Sequence, residues 1–140
     1  MIIDFNNMEA NTVHEFRGGT GVAHLKKFEN ELGKIMLGRL EPGGSVGFHT
    51  HETNSEAIYI VSGTADFIYD PDPEIKTQLE NSAAARALAA SPSSPNNDIA
   101  AAINETVSAG GCHYCPKGHS HTMINNGEED IIFFAVIPEQ

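Results

Sequence analysis

Short runs of β-branched and aromatic residues, broken at short intervals by Gly, Pro and Asn, set the rhythm of this chain. Residues 34–40 (KIMLGRL), 57–61 (AIYIV), 65–69 (ADFIY) and 131–137 (IIFFAVI) are such runs, and their lengths and spacing predict strands, not helices. Glu41-Pro42-Gly43-Gly44 reads as a turn, because proline presets one dihedral and glycine permits positive φ. Ser62-Gly63 reads as a turn between two more strands, and Asn126-Gly127 as a hairpin turn joining 122–125 to 130–137. Residues 131–137 are apolar at successive positions, so both faces of that strand need cover. The pattern predicts an all-β domain that associates through sheet faces, as a homodimer.

One region departs from this pattern. Between residues 71 and 109 the composition shifts: Asn81-Ser82 can cap a helix through AAARALAA, Pro92 and Pro95 interrupt it, and Asp98 can start a second short helix at DIAAAIN. An Ala-rich face buries little area and docks weakly. The segment reads as an Ala-rich, partly helical insertion, more a surface excursion than a lid over a pocket.

Composition narrows the class. At 140 residues, with roughly 150 per domain as the usual size, residues 1–140 form one domain. Lys and Arg number 8 against 19 Asp and Glu, a net charge of -11, which argues against nucleic acid and anionic membranes as partners, since both are held by clustered cations. The N-terminus lacks the basic and apolar regions of a secretory signal, and no stretch approaches the ~20 apolar residues of a membrane span. A soluble cytoplasmic protein is expected, with its two cysteines, Cys112 and Cys115, as buried reduced thiols.

Candidate chemistry flanks the insertion. In GGSVGFHTHETNSEAIYIVSG, His49 and His51 are two apart, so on a strand both imidazoles point to the same face while Thr50 points away. They can converge on one ion at about 2.0–2.2 Å, with Glu56 adding a carboxylate oxygen from the next strand. In GGCHYCPKGHSHTMIN, Pro116 and Gly118 turn the chain to deliver His121, the natural fourth ligand.

These residues carry a resemblance. The first segment resembles cupin motif 1, G-x5-H-x-H-x4-E-x6-G, at Gly43, His49, His51, Glu56 and Gly63; the second resembles motif 2, G-x5-P-x-G-x2-H-x3-N, at Gly110, Pro116, Gly118, His121 and Asn125. The resemblance implies a double-stranded β-helix, or jelly-roll, barrel whose mouth holds one divalent metal on His49, His51, Glu56 and His121. Dimers through sheet faces are common in that family. The stretch between the motifs is longer than a minimal cupin needs.

Other residues are weaker candidates. His119, two before His121, is the sole candidate for a catalytic role, in outer support or proton transfer, against an exposed turn histidine. Cys112 and Cys115 have C-x-x-C spacing but neither the second pair of a zinc ribbon nor the helix of a redox motif. His14, His24 and His113 lack partners at ligand spacing and read as ordinary surface or core residues. Glu128, Glu129 and Asp130 read as a solvated run, and Arg39 faces either the barrel interior or solvent. Three imidazoles and a carboxylate suit Fe, Mn, Zn, Ni, Co or Cu, which affinity order does not resolve. Since each His must be neutral to ligate, metal affinity is expected to fall below pH ~6.5. The expected function is a metal-dependent enzyme acting on a small polar chelating metabolite, by oxygenase, decarboxylase, isomerase or lyase chemistry; the alternative is a non-catalytic small-molecule-binding or sensor cup.

Overall fold

The computed structural model describes residues 1–70 and 103–140. Among these, ten strands run in order: β1 (Asn11–His14), β2 (Val22–Asn30), β3 (Gly33–Leu40), β4 (Ser45–Thr50), β5 (Glu56–Ser62), β6 (Thr64–Asp70), β7 (Ile103–Ser108), β8 (Cys112–Cys115), β9 (Ser120–Ile124) and β10 (Ile131–Pro138). Helical geometry among the described residues is confined to the 3-10 turns Phe5–Asn7 and Phe16–Gly18. None of these residues forms a helix long and apolar enough to cross a membrane.

The strands form two facing sheets. One has six strands in the order β1-β2-β3-β10-β5-β8, the other four in the order β4-β9-β6-β7. Period-two alternation sends Leu40, Ile58, Ile60, Phe133 and Ala135 of the first sheet, and Val46, Phe67 and Met123 of the second, into one shared apolar core. The strands anticipated at 34–40, 57–61, 65–69 and 131–137 are β3, β5, β6 and β10. In β10 burial alternates although hydrophobicity does not: Ile131, Phe133, Ala135 and Ile137 face inward, and Ile132, Phe134 and Val136 lie outside.

Turn chemistry places the crossings between sheets. At Glu41-Pro42-Gly43-Gly44 the Gly44 amide donates to the Glu41 carbonyl at 2.9 Å, with Gly43 at φ 79°, the left-handed residue a tight turn after proline needs. Gly63, at φ 87°, passes the chain from β5 into the other sheet, and a Cβ there would stand 2.7 Å from the Asp130 carbonyl.

Three expectations need correction. Asn126-Gly127 does not close a hairpin, because β9 pairs with β4 and β6 while β10 pairs with β3 and β5. The buried Asn125 amide instead donates to the carbonyls of Leu40 and Glu129, both at 2.9 Å, and fixes a crossing between sheets. Second, Ile103 and Asn104, assigned to a helix at DIAAAIN, open β7, which pairs with β6 along its length. The barrel therefore resumes within the segment read as insertion; the helix at AAARALAA and the rest of the second helix lie outside the described residues. Third, Cys112 is exposed and only Cys115 is buried, since positions three apart on β8 take opposite faces.

Candidate metal centre

His49 lies near the end of β4, His51 one residue beyond it, Glu56 opens β5, and His121 sits in β9 directly opposite His49. Two sheets thus contribute: β4 and β9 present imidazoles, and β5 brings the carboxylate from the facing layer. One ligand atom from each of the four residues lies within 4.8 Å of the others, a grouping that can hold a metal ion. His51, Glu56 and His121 are buried and His49 is partly so. The turn after Pro116 clamps the His51 backbone: His51 N donates to the His119 carbonyl at 3.0 Å, and Gly118 N to the His51 carbonyl at 2.6 Å.

The outer ring nitrogens determine which inner ones are free. His49 Nδ1 lies 2.7 Å from the Gly47 carbonyl, and His51 Nδ1 lies 2.6 Å from Asn54 Oδ1. A carbonyl oxygen only accepts, so His49 Nδ1 carries its proton, and an Asn54 oxygen imposes the same tautomer on His51. His121 Nδ1 lies 2.9 Å from His113 Nε2, whose own Nδ1 is 3.3 Å from Glu105 Oε2. With Glu105 accepting from His113, the same logic leaves His121 protonated at Nδ1. All three Nε2 lone pairs are then directed inward.

That arrangement fits a cation. His51 Nε2 and His121 Nε2 stand 3.0 Å apart, and two lone pairs at that distance repel unless a positive charge lies between them. Two ~2.1 Å metal–nitrogen bonds at a right angle span about 3.0 Å, against about 3.4 Å at a tetrahedral angle. Glu56 Oε1 is 3.1 Å from His121 Nε2 and 3.6 Å from His51 Nε2. Burial holds His49 well below the ordinary imidazole range and lowers His121 as well, so both rings are neutral and able to ligate. For Glu56, burial pushes the carboxyl upward, but the adjoining His121 and His51 rings outweigh it and hold the group below the ordinary carboxylate range in the metal-free protein; when the rings ligate through Nε2, the cation takes over that favourable charge.

The other sequence candidates fall elsewhere. His119 turns its ring onto Tyr69, with centroids 5.8 Å apart. The outer position anticipated for it is taken by His113, read from sequence as an ordinary residue. His113 is 1% exposed, stacks on Phe67 and is lowered to about 4, mainly by burial. His24 pairs with Glu41 at 2.6 Å. Arg39 lies on the outer face of β3 and meets Asp130 at 3.1 Å, so that part of the acidic run is paired. A cavity of about 310 Å³ opens above the cluster, lined by His49, His51, Glu56 and His121 and otherwise mostly by apolar side chains.

Comparison with known proteins decides the family. The profile of the Cupin family matches residues 7–140. The chain is a cupin. An oxalate-binding protein of Thermotoga maritima is 27% identical to this cupin over 143 residues, covering 98% of this chain and 93% of the relative. Among solved structures, a predicted oxalate decarboxylase from Thermotoga maritima superposes with a TM-score of 0.73 at 21% identity, covering both chains fully. The oxalate decarboxylase of Bacillus subtilis, described with Mn(II) centres, gives a TM-score of 0.55 at 19% identity over 85% of this chain and 26% of that one. At these identities the structural likenesses establish the fold of this cupin.

Proposed function

We propose that this cupin binds one divalent transition metal through His49, His51, Glu56 and His121 and acts as a metal-dependent enzyme on a small chelating carboxylate. The observation that carries the reading is the commitment of all three Nδ1 positions to outer partners, which directs three Nε2 lone pairs and one carboxylate oxygen to a common point. A divalent ion held there polarises a bound carboxylate or neighbouring carbonyl as a Lewis acid. The protein's own residues hold the imidazoles in their ligating tautomers, supply the Glu56 carboxylate, and line the cavity above the reacting group mostly with apolar side chains. The relatives named for oxalate support a carboxylate ligand. The family profile does not choose a reaction, because cupin barrels serve many chemistries.

A second reading is a metal-containing cup that binds its ligand without turnover, favoured by a relative named as an oxalate-binding protein. Elemental analysis of protein purified without chelators or nickel columns, followed by product analysis with candidate carboxylates, tests both. Metal-dependent turnover lost in His49→Ala supports the enzyme; stoichiometric binding without product supports the cup; a folded protein that takes up no divalent ion contradicts both.

We also propose that a second copy of the chain covers the outer face of the six-stranded sheet. Tyr59, Val61, Tyr114 and Val136 are exposed there on adjacent strands. These four side chains carry no charge on a chain of net charge -11, so two copies of the patch can meet across a two-fold axis without like-charge repulsion between them.

A further inference from the structure

The cavity over the cluster has a composition that oxalate does not explain. Leu25, Met36, Ile58 and Phe133 form much of its wall, and among the described residues the cationic side chains on its lining are Arg17, Lys27 and Lys34. Its volume of about 310 Å³ corresponds to roughly ten water molecules at ~30 Å³ each. A dianion as small as oxalate would leave most of that apolar wall against water.

Arg17 is held at this site by unusual backbone. Glu15 and Arg17 both adopt left-handed conformations, at φ 51° and φ 52°, although neither is glycine, and such residues tend to persist where surrounding structure enforces them. The enforcement is visible: the 3-10 turn containing Arg17 packs so closely on β4 that a Cβ on Gly47 would lie 2.1 Å from the Arg17 carbonyl, and one on Gly19 2.2 Å from the Ser45 carbonyl. Thr20 ties the same turn to Ser45, its amide donating to Ser45 Oγ at 2.9 Å. Among the described residues no carboxylate forms an ion pair with Arg17. Arg17 also lines the smaller cleft beside His49 and His51, so it stands at the boundary between the cavity and the cluster.

We propose that the cavity selects a carboxylate carrying an apolar tail, with the anionic head between the Arg17 guanidinium and the His/Glu cluster and the tail along Leu25, Met36, Ile58 and Phe133. The inference rests on the proposed metal-binding role of the cluster and adds the class of ligand. A guanidinium suits the head because its planar fork matches a carboxylate, and the wall rewards each methylene the tail buries.

The test is calorimetric titration of the full chain loaded with Mn²⁺, using pyruvate, 2-oxobutanoate, 2-oxopentanoate and 2-oxohexanoate, with oxalate for comparison. Each added methylene tightens binding roughly fourfold, and 2-oxohexanoate binds more tightly than oxalate. Arg17→Gln weakens every member tenfold or more at unchanged metal content, and Arg17→Lys recovers part of the loss. Met36→Gln leaves pyruvate binding nearly unchanged and flattens the chain-length series. Affinity that is flat or falling with tail length, or an Arg17→Gln protein that binds as the parent does, overturns the proposal. Metal content measured on the same samples separates the two readings: a protein that takes up neither Mn²⁺ nor any other divalent transition metal overturns the metal site, whereas a loaded protein with a flat series overturns only the ligand class.

Discussion

His113 Nε2 lies 2.9 Å from His121 Nδ1, the two ring planes inclined by 22° with centroids 5.1 Å apart. Strand β8 of one sheet thereby braces a candidate ligand on β9 of the other, and Glu105 on β7 completes the series Glu105, His113, His121. Partners of this kind fix the tautomer and orientation of a ligating imidazole and raise its basicity. Replacing His113 with Phe keeps the stack on Phe67, whose ring is 4.1 Å away, but removes the acceptor for His121 Nδ1. Competition against a chelator of known affinity is expected to find metal bound about 10- to 100-fold more weakly, with an unchanged circular dichroism spectrum.

The burial of these histidines gives the metal-free protein a defined acid sensitivity. The folded value of His113 is about 4 against 6.5 unfolded, and His49 and His121 are lowered too. Between those pH values the unfolded chain binds protons that the folded one refuses, so stability falls as pH drops from about 6.5 to about 4. Urea denaturation is expected to find stability lost progressively across that range as these buried imidazoles are forced to take up protons. Glu56, depressed below its ordinary 4.5, adds a further loss below that pH. The same burial favours the neutral, ligating form of His49 and His121, so metal content after dialysis is expected to decline as the buffer is made more acid than the ordinary imidazole range.

Asn125 carries more of the fold than its place in a loop suggests. Its amide nitrogen serves two carbonyls, those of Leu40 and Glu129, and its oxygen accepts from the Gly127 amide at 3.0 Å. Asn125→Ala leaves the buried Leu40 carbonyl without this partner, while the Glu129 carbonyl and Gly127 amide lie where water can replace it; the change is expected to cost about 2 kcal/mol, measured as a shift in denaturation midpoint at unchanged slope.

The residues that were legible in sequence are those whose signal is local. His49 and His51 share a face because strand periodicity is two, and Gly43 and Gly63 mark turns because their backbone needs positive φ. The misread hairpin at Asn126-Gly127 has a physical reason: turn composition reports a bend, but which sheet receives the next strand is decided by Asn125 reaching Leu40, 85 positions away. His113 escaped notice because its partner lies across the barrel on another sheet, a relation no ligand spacing encodes. Arg17 belongs to neither motif, and its place at the cavity follows from close backbone packing against Gly47 that only coordinates reveal.

The two cysteines should differ sharply in reactivity. Cys115 is fully buried and its thiol is pushed up to about 12, chiefly by burial, whereas Cys112 is exposed. A thiol reagent is expected to label Cys112 alone in the native protein and both residues in urea; equal labelling of both in the native state would contradict this arrangement.

Association through the outer face of the six-stranded sheet is tested by light scattering. The parent chain is expected to have the mass of a dimer, and Tyr59→Asp combined with Val136→Asp to give a monomer with unaltered metal uptake; a monomeric parent contradicts the interface.

X-ray absorption at the metal edge of the Mn²⁺-loaded protein tests the central claim most directly. Three imidazoles and one carboxylate from His49, His51, His121 and Glu56 are expected around the ion, with His121→Ala losing one imidazole from the scattering. A shell dominated by water oxygens, or one that His121→Ala leaves unchanged, would contradict the account.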